Sequence, residues 1–402
     1  MFDINKFVSK HITKRDKSLF LEDIESNRPR LEEAISGKRV CVIGGAGSIG
    51  SSFIKALLPF KPSSLVIVDL SENGLVELTR DLRSTEGMFV PDDYRTYTLD
   101  FASPIFELLF ICEKGFDIVA NFSAHKHVRS ERDTFSVQAL IVNNVFKAKG
   151  LMELLSKYPP RHFFCVSTDK AANPVNIMGA SKLLMEKLVM SYQERFPVTT
   201  ARFANVAFSN GSLLDSWVNR IMKKQPLVAP SDVKRYFVSP QESGEICLLA
   251  CILGNSGEIF FPKLEQEQMT TFSAICDNFV AELGYTKKEC NSDSEARLYA
   301  SLMKEDNKEY PVFYFKSDTT GEKDVEEFFV PGEKIDMETF SSLGVIKDKT
   351  HCTVDEISGY ISTLESVFKC PGCTKAGIVE TLCTILPNFE HEEKGKNLDQ
   401  KM

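Results

Sequence analysis

Long apolar runs are missing from this 402-residue sequence, and so is an excess of positive charge. No stretch approaches the roughly 18 apolar residues of a membrane-spanning helix, and the first residues lack the apolar segment of a secretory signal peptide. Lys and Arg number 48 against 56 Asp and Glu, a formal net charge of −8. This balance argues against non-specific nucleic-acid binding but allows a local basic pocket. We therefore expect a cytoplasmic globular protein with no membrane span and no nucleic-acid partner.

A disulfide framework is also missing. The 11 cysteines are an odd number scattered through predicted strands and helices, which indicates reduced core thiols. The one close pair is Cys370 and Cys373, in KCPGC. Other potential ligands lack the spacing of a zinc motif; they are His351, Cys352, Cys383 and His391. No metal site is predicted, although the sequence leaves open whether the close pair binds metal.

What is present is a regular alternation of strands and helices. Segments with helical periodicity separate short β-rich runs at residues 38–43, 64–69, 94–99, 116–122, 161–167 and 198–203. Such alternation predicts an α/β fold: a Rossmann-like doubly wound parallel sheet made of right-handed βαβ units.

The chain divides into four predicted segments. Residues 1–37 are expected to form an N-terminal helical arm, and residues 38–208 the dinucleotide-binding sheet domain. Residues 209–385, where the alternation breaks, are expected to form mainly a smaller substrate-binding lobe, with elements that return to the sheet. Residues 386–402 are expected to be a disordered tail.

A glycine-rich turn follows the first predicted strand and opens the first predicted helix. It has the spacing Gly44-x-x-Gly47-x-x-Gly50. Glycine is needed where such a turn is tight and where the backbone approaches a pyrophosphate. The exposed N–H groups at the helix start, near Ser48 and Ile49, are expected to hold phosphate charge.

Two carboxylates follow the next strands. Asp69 ends the second strand, where a carboxylate accepts hydrogen bonds from a ribose 2′-hydroxyl and repels a 2′-phosphate, so NAD is predicted rather than NADP. Asp100, after the third strand, is predicted to meet the adenine amino group; the alternative is an N-cap for the following helix.

The stretch STDKAANPVNIMGASK raises a chemical question. Thr168, Asp169 and Lys170 end the fifth strand, at the edge where such sheets bind ligands. Many nicotinamide-dependent enzymes of this build have a proton-transferring tyrosine four residues before a lysine. Here Met178 precedes Lys182 at that spacing, so either the site is inactive or other residues move the protons.

Several stretches together resemble a known family: GGAGSIGS, AHKHV, STDKAANPVNIMGASK, RFANVAFSNGS and KRYFVSPQES. They look like the UDP-N-acetylglucosamine 4,6-dehydratases, in the polysaccharide-biosynthesis branch of the extended short-chain dehydrogenases/reductases. The Met-x-x-x-Lys spacing resembles one subgroup, and the chain resembles its soluble form. It departs from the family pattern in residues 121–124 (NFSA). It also lacks an arginine before Gly321, Glu322 and Lys323.

The resemblance implies a bacterial surface-polysaccharide enzyme that oxidises a UDP-hexose at C4, eliminates water across C5 and C6, and reduces C6 with recycled NAD. Lys170 would be the base for the C5 proton. Asp169 would receive the 4-hydroxyl proton and later protonate the 6-hydroxyl, while Thr168 would bond the 4-oxygen. Lys182 would bind the nicotinamide ribose and stabilise the C4 alkoxide, and Met178 would form an apolar wall.

The resemblance also implies contacts elsewhere along the ligand edge. Ala124 would contact the cofactor. The UDP-sugar contacts would be Lys126, Asn205, Ser209, Asn210 and Arg235, although Arg235 could instead be a surface charge. A homodimer or higher homo-oligomer is expected through the helices at residues 136–158 and 176–196, which are apolar over wide faces. The alternatives are a nucleotide-sugar 4-epimerase and a non-catalytic NAD- or nucleotide-sugar-binding protein.

Overall fold

Sixteen strands lie in the residues that the computed structural model describes, which are 2–127, 131–317, 326–347 and 352–391. In chain order they are β1 (Arg39–Ile43), β2 (Ser64–Asp69), β3 (Asp93–Thr98), β4 (Ile118–Asn121), β5 (His162–Val166), β6 (Val198–Ala201), β7 (Asn205–Val206), β8 (Leu227–Pro230), β9 (Lys234–Arg235), β10 (Phe237–Val238), β11 (Glu258–Pro262), β12 (Thr270–Thr271), β13 (Thr286–Cys290), β14 (Glu309–Phe315), β15 (Ile335–Asp336) and β16 (Leu343–Ile346).

The α-helices of the same residues are α1 (Ile4–Phe7), α2 (Leu21–Ser26), α3 (Arg28–Ile35), α4 (Ser48–Leu57), α5 (Glu72–Ser84), α6 (Pro104–Glu113), α7 (Thr134–Ile141), α8 (Lys147–Lys157), α9 (Ile177–Ser191), α10 (Leu213–Met222), α11 (Pro240–Leu253), α12 (Phe272–Glu282), α13 (Asp293–Leu302), α14 (Val354–Lys369) and α15 (Lys375–Ile385). π-Helical turns occupy Val8–Thr13 and Val142–Phe146, and 3-10 turns occupy Leu58–Phe60, Asp169–Ala171 and Gln266–Gln268.

A nine-stranded sheet has the order β15-β16-β11-β6-β5-β4-β1-β2-β3. In this spatial order, the seven neighbouring strands from β11 to β3 pair in parallel, and β16 and β15 add an antiparallel edge. Each of the β-rich runs predicted between residues 38 and 203 overlaps one of these parallel strands. The predicted α/β class with a doubly wound parallel sheet is confirmed.

Helices cover both faces of this sheet, which explains why its central strands are apolar throughout. Val40 and Leu65 face the core that contains α4, α5 and α11, whereas Cys41 and Val66 face the core that contains α6 to α9. All four side chains are fully buried. The parallel arrangement brings the carboxyl ends of β1, β2, β4, β5 and β6 to one edge.

A second, smaller sheet has the order β13-β14-β8 and is parallel. Its apolar core surrounds Trp217, whose indole N–H donates to the Val228 carbonyl at 3.0 Å. The N-terminal arm joins this lobe to the main sheet. Phe7 and Ile12 are buried in the lobe core, and Phe20 is buried in the core beneath the sheet.

The C-terminal helices cover the apolar faces of the helices expected to pair across a dimer. α14 packs against α9 and α15. Ile361 and Leu364 are fully buried in the same core as Met185 and Leu188 of α9. Homo-oligomerisation stays a prediction, but these faces are already covered by the chain's own helices.

The beginning of the segment expected to be disordered is packed. Leu386 and Phe389 are buried in the same core as α14 and α15, so the expectation of disorder is wrong for residues 386–391. Residues 392–402 lie outside the described ranges. Leu386 and Phe389 are stabilised by the burial of their apolar surface in this core. An expectation of disorder based on composition does not take such contacts into account.

None of the helices in the described ranges has the length and apolar content that a membrane crossing requires. In those same ranges, no group of three or more His, Cys, Asp or Glu residues is arranged to hold a metal ion. Cys370 and Cys373 are both free thiols, and Cys373 accepts a hydrogen bond from Gln138 at 3.4 Å. His351, one of the potential ligands, lies outside the described residues.

Truncation of α14 tests the importance of this packing. Leu364→Ala removes a fully buried side chain and should lower the free energy of unfolding by about 2–5 kcal/mol, because the surrounding core collapses only partly. The matched control is Thr363→Ala at the neighbouring exposed position, where a change within about 0.5 kcal/mol is expected. Urea unfolding followed by circular dichroism measures both. Equal stability of the two variants would contradict the packing role.

Candidate active site

The glycine-rich loop between β1 and α4 has almost no space for side chains. Gly44 has a φ of +73°, and a Cβ atom there would lie 2.7 Å from the Ser123 nitrogen. A Cβ atom at Gly50 would lie 2.3 Å from the Gly44 carbonyl oxygen. Gly47 is the N-cap of α4 and has no side chain to bond the first helical N–H groups, which include those of Ser48 and Ile49. The loop therefore fits a pyrophosphate held by backbone N–H groups.

Asp69 lies beside this loop at the end of β2. Its carboxylate accepts hydrogen bonds from the Ala46 nitrogen at 3.0 Å and the Ser71 nitrogen at 2.9 Å. Each carboxylate oxygen retains a further lone pair. The side chain is thus fixed in place and can still accept from ribose hydroxyls.

Asp100 does not cap the following helix. Ser103 is the N-cap of α6 and accepts from the Phe106 nitrogen at 3.3 Å, so the N-cap alternative for Asp100 is wrong. Asp100 instead pairs with Lys147 at 2.5 Å and accepts from the Ala102 nitrogen at 3.0 Å. These donors lower its pKa, although its partial burial opposes them. The predicted adenine contact stays a prediction.

Thr168, Asp169 and Lys170 form one contact group at the carboxyl end of β5. The Thr168 hydroxyl donates to Asp169 Oδ1 at 2.7 Å, and Lys170 Nζ lies 3.1 Å from both carboxylate oxygens. The Asp169 side chain is 3% exposed, against 30% for Lys170. A buried carboxylate is thus bonded to a hydroxyl and to a cation that reaches the surface.

Lys182 lies in α9, below this group. Its ammonium donates to the Val166 carbonyl at 2.7 Å and is buried. Burial lowers its pKa, while the nearby Cys165 and Glu186 oppose that shift. The lysine therefore places its amino group under the end of β5. Its predicted contact with a nicotinamide ribose stays a prediction.

Met178 occupies the first turn of α9 and is 3% exposed. Its nitrogen donates to Glu131 Oε1 at 2.8 Å, and its side chain belongs to the apolar core with Ile177 and Met185. Asn176 caps this helix and accepts from the Gly179 nitrogen at 2.7 Å. The backbone that would present a tyrosine is therefore intact, but its side chain is apolar.

Two predicted contact residues follow β4. Ala124 is half-buried and follows Ser123, whose nitrogen lies next to Gly44 of the glycine-rich loop, and the Lys126 side chain is open to solvent. Enough protein surrounds Lys126 that desolvation still lowers its pKa, an effect that Asp215 opposes. Residues 128–130 lie outside the described ranges.

Asn205 and Arg235 meet at a carboxylate that the sequence analysis did not identify. Asn205 Nδ2 donates to Glu326 Oε1 at 2.8 Å, and Arg235 Nε lies 3.8 Å from the same oxygen. Arg235 is 7% exposed, so the alternative of a surface charge is wrong. Glu326 closely follows the Gly-Glu-Lys motif at residues 321–323, which lies outside the described residues. Its position shortly after that motif was the one feature of the sequence that could have identified Glu326.

Ser209 and Asn210 lie next to the cofactor loop. The Asn210 nitrogen donates to Ser48 Oγ at 2.7 Å, and the Ser209 nitrogen donates to the Val206 carbonyl at 3.2 Å. Asn210 is exposed, whereas Ser209 is half-buried. The structure therefore places these two residues at the same edge as the glycine-rich loop.

A buried charge network lies behind the site and was also missed by sequence reasoning. Arg202 donates to both Glu186 oxygens, at distances from 2.8 to 3.2 Å. It also donates to the Phe328 carbonyl at 3.0 Å and to Glu333 at 3.2 Å. Glu186 in turn accepts from the Ser167 hydroxyl at 2.5 Å. One guanidinium thus connects β6, α9 and the segment that carries Glu326.

The sequence profile of the family described as "Polysaccharide biosynthesis protein" matches residues 40–346. The chain belongs to this family. Relatives include an uncharacterised membrane protein of Methanocaldococcus jannaschii, 31% identical over 260 residues, which cover 63% of this chain and 74% of that protein. The UDP-N-acetylglucosamine 4,6-dehydratase (inverting) of Campylobacter jejuni is 27% identical over 248 residues, 59% of this chain and 70% of that one. The expected family is confirmed.

The chain spans only part of the length of some relatives. It spans 40% of the capsular polysaccharide biosynthesis protein CapD of Staphylococcus aureus, at 28% identity over 60% of this chain. UDP-glucose 4-epimerases of Rickettsia bellii also match, at 27 to 28% identity over 56% of this chain and 66% of theirs.

Solved structures show the same fold. Pen from Bacillus thuringiensis aligns with a TM-score of 0.62 at 20% identity and covers 79% of this chain and 90% of that one. The dTDP-glucose 4,6-dehydratase DesIV from Streptomyces venezuelae, solved with NAD bound, aligns with a TM-score of 0.52 at 18% identity. That match covers 70% of this chain and 88% of DesIV.

The glycine-rich loop predicts a sharp effect of one added methyl group. Gly50→Ala should abolish NAD⁺ binding, because its Cβ would collide with the Gly44 carbonyl at 2.3 Å and displace the loop. Gly150→Ala in α8 is the control, since a Cβ there meets nothing within 4 Å. Isothermal titration calorimetry measures binding, and circular dichroism confirms folding. An unchanged Kd for a folded Gly50→Ala variant would exclude this loop as the cofactor site.

Proposed function

We propose that this chain is an NAD-dependent nucleotide-sugar 4,6-dehydratase of polysaccharide biosynthesis. Its proposed substrate is a UDP-hexose, specifically UDP-N-acetylglucosamine. One observation carries the proposal: the buried Asp169 carboxylate contacts both Thr168 and Lys170 at the strand edge that holds the glycine-rich loop. A proton acceptor, a proton donor and a base are thereby placed together.

The cofactor in this proposal is NAD. The space at Gly44 and Gly50 admits backbone but no side chain, which fits a closely approached pyrophosphate. Asp69 is held by two backbone N–H groups with its remaining lone pairs free for ribose hydroxyls, and its charge disfavours a 2′-phosphate. Bound NAD supplies reversible hydride transfer, out of C4 and later into C6.

The first proton transfer uses Asp169. As the hydride leaves C4, the 4-hydroxyl proton passes to the Asp169 carboxylate while the Thr168 hydroxyl bonds the 4-oxygen. Lys182, buried below the end of β5, adds positive charge near the developing alkoxide. The proton on Asp169 is then retained for the later elimination step.

Elimination uses Lys170 and Asp169 together. The 4-ketone acidifies the C5–H bond. Lys170, whose partly exposed ammonium has first released a proton to solvent, takes the C5 proton as the neutral amine. Asp169 then gives its proton to the departing 6-hydroxyl, which leaves as water. After C6 has been reduced, Lys170 returns its proton to C5 and regains its ammonium proton from solvent, so both side chains recover their starting states. The 3.1 Å contact of Lys170 with both Asp169 oxygens keeps acid and base within reach of adjacent carbons.

Met178 is consistent with this division of labour. A tyrosine at this position would transfer the 4-hydroxyl proton, whereas methionine cannot. With Asp169 as acceptor, Met178 needs only to exclude water, and it is 3% exposed within an apolar core.

Two other functions compete with this one. A 4-epimerase on the same fold needs no base for C5–H, so the presence of Lys170 beside Asp169 favours the dehydratase. A non-catalytic binding protein would not need a carboxylate that is 97% buried and ion-paired at the ligand edge.

The reaction itself can be tested directly. Incubation of the protein with NAD⁺ and UDP-N-acetylglucosamine should yield a product lighter by one water, detected by mass spectrometry. Asp169→Asn should yield none at matched concentration, and Thr85→Ala, at an exposed residue after α5, should match the wild type. A product of unchanged mass with an altered C4 configuration would establish the epimerase instead.

The proton-transfer roles make separable predictions. Lys170→Ala should still oxidise C4 and then stall, so that reduced nicotinamide accumulates and is visible by its absorbance. Overall turnover should fall by about 10²–10⁴. Met178→Leu should retain much of the activity, because the two side chains are apolar and similar in volume. If Met178→Leu is as impaired as Lys170→Ala, or if Lys170→Ala accumulates no reduced cofactor, the assigned roles are wrong.

A further inference from the structure

Glu326 is a buried carboxylate with specific donors on both of its oxygens. Its side chain is 1% exposed. Asn205 Nδ2 donates to Oε1 at 2.8 Å, and the Tyr236 nitrogen donates to Oε2 at 2.8 Å. Arg235 Nε lies 3.8 Å from Oε1. These partners offset the cost of burial, because the burial of a carboxylate without hydrogen-bond donors is strongly unfavourable.

Glu326 connects parts of the chain that are far apart in sequence. Asn205 belongs to β7, 121 residues earlier, and Tyr236 lies between β9 and β10. β7 pairs with β10 through Asn205 and Phe237. The carboxylate therefore fixes the Asn205 amide and the β9–β10 backbone relative to one another.

Charged groups from two directions act on this carboxylate. Asp169 and Lys170 act from the 3-10 turn after β5, and Arg235 and the Tyr236 phenol lie on the adjacent segment. Burial, and after it the negative charge of Asp169, raises the pKa of Glu326 to about 7, although Lys170, the Tyr236 N–H and Arg235 oppose the shift. Glu326 is thus electrostatically coupled to the Asp169–Lys170 pair.

We propose that Glu326 is a positioning residue of the active site: its carboxylate holds the Asn205 amide and the β9–β10 segment in place. The proposal rests on the dehydratase function. An ionised carboxylate accepts stronger hydrogen bonds than a neutral carboxyl group does. Ionised Glu326 therefore fixes Asn205, a proposed substrate contact, more firmly during the first hydride transfer.

The first experiment does not depend on catalysis. It compares thermal unfolding of the wild type and Glu326→Gln across pH. Because the pKa of Glu326 is raised from 4.5 to about 7 on folding, its contribution to stability is fully present below pH 4.5 and is lost as pH rises through 7. The Tm of Glu326→Gln should therefore rise relative to the wild type over that interval. Glu327→Gln, the same change at the adjacent exposed residue, should parallel the wild type.

The second experiment measures formation of reduced nicotinamide in a single turnover with UDP-N-acetylglucosamine. In the wild type the rate should increase as pH rises through 7, because Glu326 becomes ionised. Glu326→Gln should lack this increase and should be slower by about 10- to 100-fold at pH 8, as expected for the loss of a charge-assisted hydrogen bond. Glu326→Asp should keep a pH-dependent increase because it keeps the charge, and Glu327→Gln should behave as the wild type.

The outcomes separate this proposal from the proposed function. If the wild type is active and Glu326→Gln matches it in rate and pH dependence, the positioning role is overturned and the dehydratase function stands. A wild type that transfers no hydride overturns both. If Glu326→Gln does not fold, Glu326→Asp decides: loss of its pH-dependent increase would overturn the proposal, and retention would support it.

Discussion

The buried guanidinium of Arg202 is the interaction on which the arrangement of the site depends. A charge 97% buried must be paired, and Arg202 has partners on two separate parts of the chain: Glu186 of α9, and the segment that contains the Phe328 carbonyl and Glu333. Removal of one partner of such a buried pair typically costs about 3–5 kcal/mol. The helix that carries Lys182 and the segment that carries Glu326 are therefore held against the same strand end. The relative positions of that helix and that segment depend on this one requirement for charge compensation.

The same reasoning about buried charge explains the chemistry. Asp169 and Lys170 lie in contact, with the carboxylate inside the protein and the ammonium at its surface. In such an environment the interaction between charges is stronger than in water, so a proton that arrives on one group changes the basicity of the next. In the proposed mechanism, storage of the proton on Asp169 is sufficient and a tyrosine at position 178 is unnecessary. The apolar side chain of Met178 is compatible with that mechanism.

Much of the fold and part of the site could be predicted from the sequence, because both have local signals. Each predicted strand between residues 38 and 203 was found, and the central strands had a clear signal because a strand buried on both faces requires a continuous apolar run. The glycine-rich loop was predicted because its tight backbone path excludes side chains at Gly44 and Gly50. The contact of Thr168, Asp169 and Lys170 was predicted because neighbours in sequence at a strand end must also be neighbours in space. The order of the strands in the sheet could not be predicted from local sequence patterns, because it depends on pairing between distant segments.

By itself, the sequence predicted the α/β architecture and the cofactor loop, because periodicity and spacing over a few residues encode them, and its resemblance to the family supplied the roles proposed for Thr168, Asp169 and Lys170. Only the tertiary structure decided the rest. Arg235 is buried rather than at the surface, Ser103 rather than Asp100 caps α6, and Leu386 and Phe389 pack in the core. Glu326 reaches Asn205 across 121 residues, and α14 covers α9. Each of these outcomes depends on contacts between segments far apart in the chain, where the free energy of burial and charge pairing outweighs any local preference.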